Sequence, residues 1–252
     1  MTVVEVEERG DVAVVWLARP EKLNAISVEM LDELFEAVET IGRSDAIRAA
    51  ILIGRGRAFS TGGDITAMHG MDGRQFADTI SRYMRLSAAF RACPKPIVAA
   101  IHGYALAGGF ELALMCDVRF AAVGTQFGLP DTPLGLSPTS GMTYLLPRIV
   151  GLGRALYLAL DGENIDADEA LRIGLVSRVV EPERLLEEAE AFAHRIAEYP
   201  RVGVGWTKRT LHDGLDLDFE AATRLETEAE IDCFRSPETR ARFQAFVDRK
   251  RG

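Results

Sequence analysis

Cysteine is scarce in this chain. Its 252 residues hold three, Cys93, Cys116 and Cys233, far apart, odd in number and without metal-site spacing. That excludes a disulfide framework and is the usage of a reducing compartment with buried thiols. The four histidines, His69, His102, His194 and His212, do not cluster at ligand spacing, so no metal site is expected. Long apolar runs are absent too. The run over residues 97–107 is broken by His102 and Gly103, and nothing reaches the length of a membrane span. Positive charge is in deficit, with a formal net charge of -9. Nucleic acid is therefore not expected as the main partner, although a local basic patch would still bind an anion. The opening MTVVEVEERG is acidic and strand-like, unlike a signal peptide, so the expected location is cytoplasmic. Several catalytic motifs are missing as well: no phosphate-binding P-loop, no G-x-S-x-G nucleophile elbow and no H-E-x-x-H. GLGRAL at Gly151 lacks the third glycine of a dinucleotide fingerprint and follows no clear strand, so it reads as a helix start. No side chain stands out as a nucleophile. Backbone groups and carboxylates remain.

What is present is an ordinary globular balance, 48% hydrophobic and 27% charged, in a chain long enough for one large domain with a sizeable core. Strand and helix signals alternate. VVEVEE and VAVVWLA flank Gly10-Asp11, a hairpin signal. Ser27 is placed to cap a helix running to Ile41, with Met30, Leu31, Leu34, Phe35 and Val38 on one face. AAILIG reads as a buried strand, and a helix from about Arg74 to Ala92 ends before Pro94 and Pro96. IVAAIHG is the next buried strand, FELALMCD opens a helix, and VRFAA suggests another strand. Such near-continuous apolar strands separated by helices predict an α/β fold with a parallel sheet. After about Gly151 the pattern is mostly helical. Asp166 and Glu169 form a capping pair, Gly174 ends that helix, and Ser236-Pro237-Glu238 starts the last one. The chain divides into an α/β core over residues 1–188 and a helical region over 189–252.

Two loops stand out. RGRAFSTGGDITAM and HGYALAGGFELALMCD each carry an apolar strand into a glycine pair followed by an acid. Glycine is suited to places where backbone must come close to something. Backbone N–H groups aimed at one point stabilise a developing oxyanion, and a helix start adds unpartnered N–H groups and a favourable dipole. Gly63 and Gly108 would supply one donor each, and Glu111, in the first turn after Gly108, would hold a proton near an enolate carbon. On spacing alone a second reading stays open: glycine pairs make turns, and a first-turn glutamate caps a helix.

Together the loops resemble the crotonase family, also called the enoyl-CoA hydratase/isomerase family. Five segments resemble its signatures in order: RPEKLNAIS (residues 19–27), RAFSTGGDITAM, KPIVAAIHGYALAGGFELALMCDVRFAA (95–122), FGLPDTPLGLSPTSG (127–141) and LDGENIDADEALRIGLVSRVV (160–180). The resemblance implies a spiral of β-β-α units with a helical C-terminal trimerisation region. It also implies an acyl-CoA thioester as substrate, no separate cofactor and a homotrimer or hexamer. It makes the Gly63 and Gly108 N–H groups the oxyanion hole. Glu111 and Asp131 then take the positions of the two catalytic glutamates of the hydratases; Asp131 departs from the usual F-G-x-P-E and is shorter by one methylene. Thr139 stands where some isomerases and hydrolases carry Asp. Asp64 is implied as a loop-organising residue. The coenzyme would lie along Lys22, Ala25, Thr61, Gly63, Asp64, Ile65 and Gly108. Its phosphates would face bases among Arg19, Lys22, Arg57 and Lys250. Met68, Met84, Phe90 and Leu134 would border the acyl group. The implied reaction is syn hydration of a 2-enoyl-CoA to a 3-hydroxyacyl-CoA. Double-bond isomerisation is the alternative, followed by an acyl-CoA-binding member without catalysis.

Overall fold

The structure, a computed structural model, describes residues 2–249. Strands β1 (Val4–Arg9) and β2 (Val12–Leu17) form an antiparallel hairpin, turned at Gly10 with φ of 67°. Helix α1 (Val28–Arg43) follows, its first turn capped by the Ser27 hydroxyl accepting from the Met30 N–H. Then come β3 (Ala49–Gly54), α2 (Ile65–His69) and α3 (Gly73–Ala92). The Asp72 carboxylate and Gln75 cap α3 reciprocally, and it ends just before Pro94. Next are β4 (Ile97–Ile101), β5 (Tyr104–Leu106), α4 (Gly108–Met115), β6 (Val118–Ala122) and β7 (Gln126–Gly128). The chain continues through α5 (Met142–Val150), α6 (Leu152–Asp161), β8 (Ile165–Asp166), α7 (Ala167–Arg172) and β9 (Arg178–Val180). It closes with α8 (Leu185–Ala197), α9 (Arg201–Gly214), α10 (Phe219–Arg235) and α11 (Pro237–Arg249).

The strands build two sheets. One has six strands in the order β1-β2-β3-β4-β6-β9, parallel except for the first pair. The other has three, β5-β7-β8. Each turn of the chain lays one strand in each sheet before a helix: β4, β5, α4 is one turn, and β6, β7 begins the next. Strand β3 obeys the same rule in reduced form, because Ser60 bridges Ala105 in parallel before α2 begins. This is the β-β-α spiral that the resemblance implied.

Period-two alternation divides the core. Val12, Val14, Trp16, Ile51, Ile53, Val98, Ala100 and Phe120 face Leu185, Ala189 and Ala193 of α8. Ala13, Val15, Leu17, Ala50, Leu52, Ala99 and Ile101 face the other way, onto α1, α3 and α4. The strands are buried on both faces, which explains their unbroken apolar runs. The boundary at 188/189 falls inside α8, whose whole length packs on the large sheet; the helices standing further from it begin with α9. Leu215 and Leu217 sit in the turn between α9 and α10. Among the described residues no helix is long and apolar enough to cross a membrane.

Candidate active site

The spiral brings the two glycine loops edge to edge. Residues 60–64 run beside 23–26 and are held by Ile26 N–H to Gly62 O (2.7 Å), Asp64 N–H to Ile26 O (3.1 Å) and the Ser60 hydroxyl to Asn24 O (2.8 Å). Fully buried Asn24 anchors this frame. Its amide donates to Arg55 O and Ala58 O and accepts from the Arg19 N–H. On the other side, Ser60 N–H bonds Tyr104 O, and Leu106 N–H bonds Ser60 O. The loops then touch at their glycines. A Cβ on Gly62 would stand 3.1 Å from the Gly108 nitrogen, and one on Gly109 would stand 2.4 Å from Ser60 O. Glycine is required here by close approach of backbone to backbone.

The Gly63 and Gly108 nitrogens lie at this contact. A Cβ on Gly108 would lie 3.5 Å from the Gly63 nitrogen, and neither N–H has a protein acceptor among the described residues. Gly108 is the first residue of α4, where an unpartnered N–H follows from helix geometry. Ala107 aims it from a strained backbone, φ 44° and ψ -122°, fixed by Ala107 N–H to Gly128 O and by Glu111 N–H to Ala107 O. Two N–H groups without a protein acceptor, one of them at a helix start, are what an anion site of oxyanion-hole type requires.

Two carboxylates lie near enough to act on the Tyr83 phenol that borders the glycines. Glu111, 4% exposed, lies one turn into α4. Its Oε1 accepts from the Thr139 N–H at 2.5 Å, and the Thr139 hydroxyl lies 3.2–3.3 Å from both carboxylate oxygens. Burial pushes the Glu111 carboxyl above the usual range; the Thr139 and Ser140 hydrogen bonds pull against this, and the Asp131 charge adds to it. Asp131, in the turn after β7, is also buried and raised by burial. Its Oδ2 is buried without a hydrogen-bond partner among the described residues. A buried oxygen with no protein partner, beside a second raised carboxyl, is the arrangement expected of a proton-transfer pair.

The remaining expected residues divide. Asp64 caps α2 through the Ala67 N–H and takes the Arg19 guanidinium at 3.0 Å. Burial pushes its carboxyl up, but Arg19, the Ala67 N–H and Lys22 outweigh this and leave it below the usual range. It therefore organises the loop as an ionised group. Lys22 stands 3.5 Å from Asp64 with about half its side chain exposed. Arg19 is spent inside the frame, on Asp64 and on the Ala25 carbonyl at 2.5 Å, so it is not available for phosphates. The Thr61 N–H bonds Leu23 O, Ile65 is exposed on α2, and Arg57 is exposed with no ion pair among the described residues. Lys250 lies outside the described residues. Met68 borders the site, with its sulfur 2.8 Å from a Cβ built on Gly63, and Met84 and Leu134 are exposed. Phe90 does not border it. At 1% exposure it is a core side chain, because α3 turns it inward with Leu86 and Ala89.

Sequence reading missed two contributors. Thr139 stood out only for not being Asp, yet it holds Glu111. Tyr83 was not singled out in the sequence, yet its hydroxyl lies beside the glycines. Among the described residues no cluster of His, Cys, Asp and Glu is arranged to hold a metal.

Comparison with known proteins agrees with this geometry. The family model described as enoyl-CoA hydratase/isomerase matches residues 7–252. A short-chain-enoyl-CoA hydratase of Clostridium acetobutylicum is 37% identical, aligned over 98% of this chain and 95% of that protein. A crotonyl-CoA hydratase of Syntrophomonas wolfei is 36% identical over 99% and 95%. The crystal structure of an enoyl-CoA hydratase from Bacillus anthracis superposes with a TM-score of 0.95 at 32% identity, covering 98% of this chain and 96% of that one. A spiral with two facing glycine loops, matched along nearly its whole length, identifies the chain as a member of the enoyl-CoA hydratase/isomerase family, the crotonase superfamily.

Proposed function

We propose that this protein is an enoyl-CoA hydratase that adds water syn across a 2-enoyl-CoA thioester, with no cofactor beyond the coenzyme A of its substrate. The observation that carries the reading is the pair of free N–H groups on Gly63 and Gly108 beside two buried, raised carboxyls, Glu111 and Asp131. The thioester oxygen sits between the two N–H groups. One carboxylate takes a proton from water as its oxygen bonds the β-carbon. The double-bond pair moves towards the thioester, and the N–H groups bind the resulting enolate oxygen. A carboxyl of the pair then gives its proton to the α-carbon and the enolate returns to the thioester carbonyl, giving the 3-hydroxyacyl-CoA with the pair back at its starting net protonation. Met68, Met84 and Leu134 border the acyl chain, and Lys22 and Arg57 face the coenzyme phosphates. Names of the Clostridium and Syntrophomonas relatives point to short acyl chains.

The working form is a trimer or a pair of trimers in the cytoplasm. Leu152, Leu156, Tyr157 and Leu160 of α6 are exposed together, as are Ile231, Phe234 and Phe243 of α10 and α11, more apolar surface than a lone subunit leaves open. The free thiols Cys93, Cys116 and Cys233 fit a reducing compartment.

The test is a panel of 2-enoyl-, 3-enoyl- and 3-hydroxyacyl-CoA thioesters read by mass spectrometry, on the parent, Asp131→Asn and Asp131→Glu. Water gain from the 2-enoyl thioester, lost in Asp131→Asn by several orders of magnitude and kept in Asp131→Glu, supports hydration by a carboxylate pair. Migration of the double bond without water gain, surviving Asp131→Asn, replaces it with an isomerase using Glu111 alone.

A further inference from the structure

Helix α3 buries Thr79, Tyr83, Leu86 and Phe90 along one stripe. Three of the four are what a core stripe needs or tolerates: the Thr79 hydroxyl bonds back to Gln75 O, and Leu86 and Phe90 are apolar. Tyr83 differs. It is only 7% exposed, and its hydroxyl makes no hydrogen bond to the described residues. A buried phenol usually finds a partner for its O–H. The hydroxyl is not among the fully buried oxygens without a partner, so the little surface Tyr83 shows includes that oxygen.

Its position explains where it opens. A Cβ on Gly108 would meet the Tyr83 oxygen at 3.0 Å and its ring Cε1 at 3.4 Å, and a Cβ on Gly63 would meet the oxygen at 3.8 Å. The phenol thus stands beside both glycines, on the side where a Gly108 Cβ would also approach the Gly63 N–H. Burial, followed by the Glu111 and Asp131 charges, raises the phenol far above its ordinary range. It stays protonated at any working pH, so it acts as a donor and not as a base.

We propose that the Tyr83 hydroxyl is a third donor of the oxyanion hole, hydrogen-bonding the thioester oxygen as it becomes the enolate oxygen. This rests on the acyl-CoA reading of the site and adds to it a catalytic residue on a different element from the two glycine loops. A third donor that is a side chain can be removed without touching the backbone.

Tyr83→Phe keeps the ring against Gly108 and deletes only the O–H. Two readouts are taken. The first is kcat and KM for hydration: kcat falls about 100-fold, the scale for one oxyanion donor, while KM changes little because the bond strengthens in the transition state. The second needs no turnover. A conjugated dienoyl-CoA is bound, and its ultraviolet absorption band is followed. Donors on the thioester oxygen polarise the conjugated system and move the band to longer wavelength, so the displacement is smaller in Tyr83→Phe. A fluorinated tyrosine at this position, a stronger donor, makes it larger. Unchanged kcat with an unchanged band displacement would overturn the proposal and leave Tyr83 as packing. A parent that displaces the band without adding water would remove the hydratase reading, and comparison of the two bands would still decide Tyr83. If Tyr83→Phe does not fold, the fluorinated variant decides alone: a band displacement equal to the parent's refutes the bond.

Discussion

Replacing Glu111 by Gln should cut activity sharply and make the protein more stable. Glu111 is 4% exposed, and burial raises its carboxyl above the ordinary value. The protein therefore holds an ionised group where its environment prefers the protonated one. The sign follows from linkage. An acid whose folded value lies above its unfolded one leaves the native state binding more protons between the two values, so stability falls as pH rises through that window and then stays low. Each unit of upward displacement costs about 1.4 kcal/mol at neutral pH. In a chain of this size 1 kcal/mol moves Tm by roughly 2–4 °C. The Gln amide avoids this cost without stranding its neighbours: its oxygen still accepts from the Thr139 N–H, and its NH2 meets the Thr139 hydroxyl oxygen. Glu111→Gln is thus expected to melt above the parent at pH 8, with the gap closing as pH falls towards 4. Hydration should drop about 10²- to 10⁴-fold, the worth of a general acid or base. Thermal unfolding across pH 4–8, with kcat on the same samples, measures both. A variant that melts below the parent at pH 8, or a gap that does not narrow on acidification, would refute the assignment of Glu111 as a strained, functional carboxylate.

Three other changes test neighbouring parts. Gly108→Pro deletes the backbone N–H at the first position of α4, where a helix tolerates proline, so it should cut kcat about 100-fold or more; near-parental turnover in a folded variant would remove Gly108 from the oxyanion hole. Thr139→Val deletes a hydroxyl that favours the ionised form of Glu111. The limb of the pH–rate profile set by Glu111 should move to higher pH, with a loss of about 2- to 10-fold at neutrality, the scale of one hydrogen bond of about 0.5–1.5 kcal/mol; an unmoved limb would show that Thr139 does not tune it. Sedimentation should give a trimer or hexamer at micromolar concentration, and a monomer at every concentration would contradict the covering role given to the exposed apolar faces of α6, α10 and α11.

The sequence announced the scaffold well because its signals are local. The Ser27 cap, the alternation in β2 to β4 and the stop before Pro94 each depend on a few adjacent residues, and each appears where it was expected. The glycine loops were legible for the same reason: a pair followed by an acid is a short pattern. Residues acting across elements were not. Tyr83 stands four residues after Thr79 and three before Leu86, so periodicity alone files it as core; only the approach of α3 to the glycine loops shows where its hydroxyl ends. Thr139 lies 28 residues from the carboxylate it holds, with no spacing rule connecting them. Arg19 was misread in the opposite direction. A basic residue beside an expected polyanion suggests a phosphate contact, but the fold turns it inward onto Asp64 and the Ala25 carbonyl.

Backbone strain connects these observations. Among the described residues, the non-glycine positions with positive φ are Leu23, Asn24, Ala107 and Ser140. None lies in a remote turn. Leu23 and Asn24 shape the strip that holds the Gly63 loop, Ala107 precedes the Gly108 donor, and Ser140 follows the Thr139 that grips Glu111. Each such residue costs on the order of 1–3 kcal/mol and persists only where its surroundings over-determine it. The surroundings do so here: Asn24 is locked by three side-chain hydrogen bonds, Ala107 by Gly128 O and the Glu111 N–H, and Ser140 by the Ser87 hydroxyl of α3. A relaxed backbone at Ala107 would swing the Gly108 N–H away from Gly63, and a relaxed Ser140 would withdraw Thr139 from Glu111. The same helix α3 that pins Ser140 through Ser87 also delivers Tyr83, one turn earlier, to the glycines. One helix thus supports both the Tyr83 phenol beside the glycines and the Ser140 turn behind Glu111, so the proposed third donor and the grip on the carboxylate share a single rigid element.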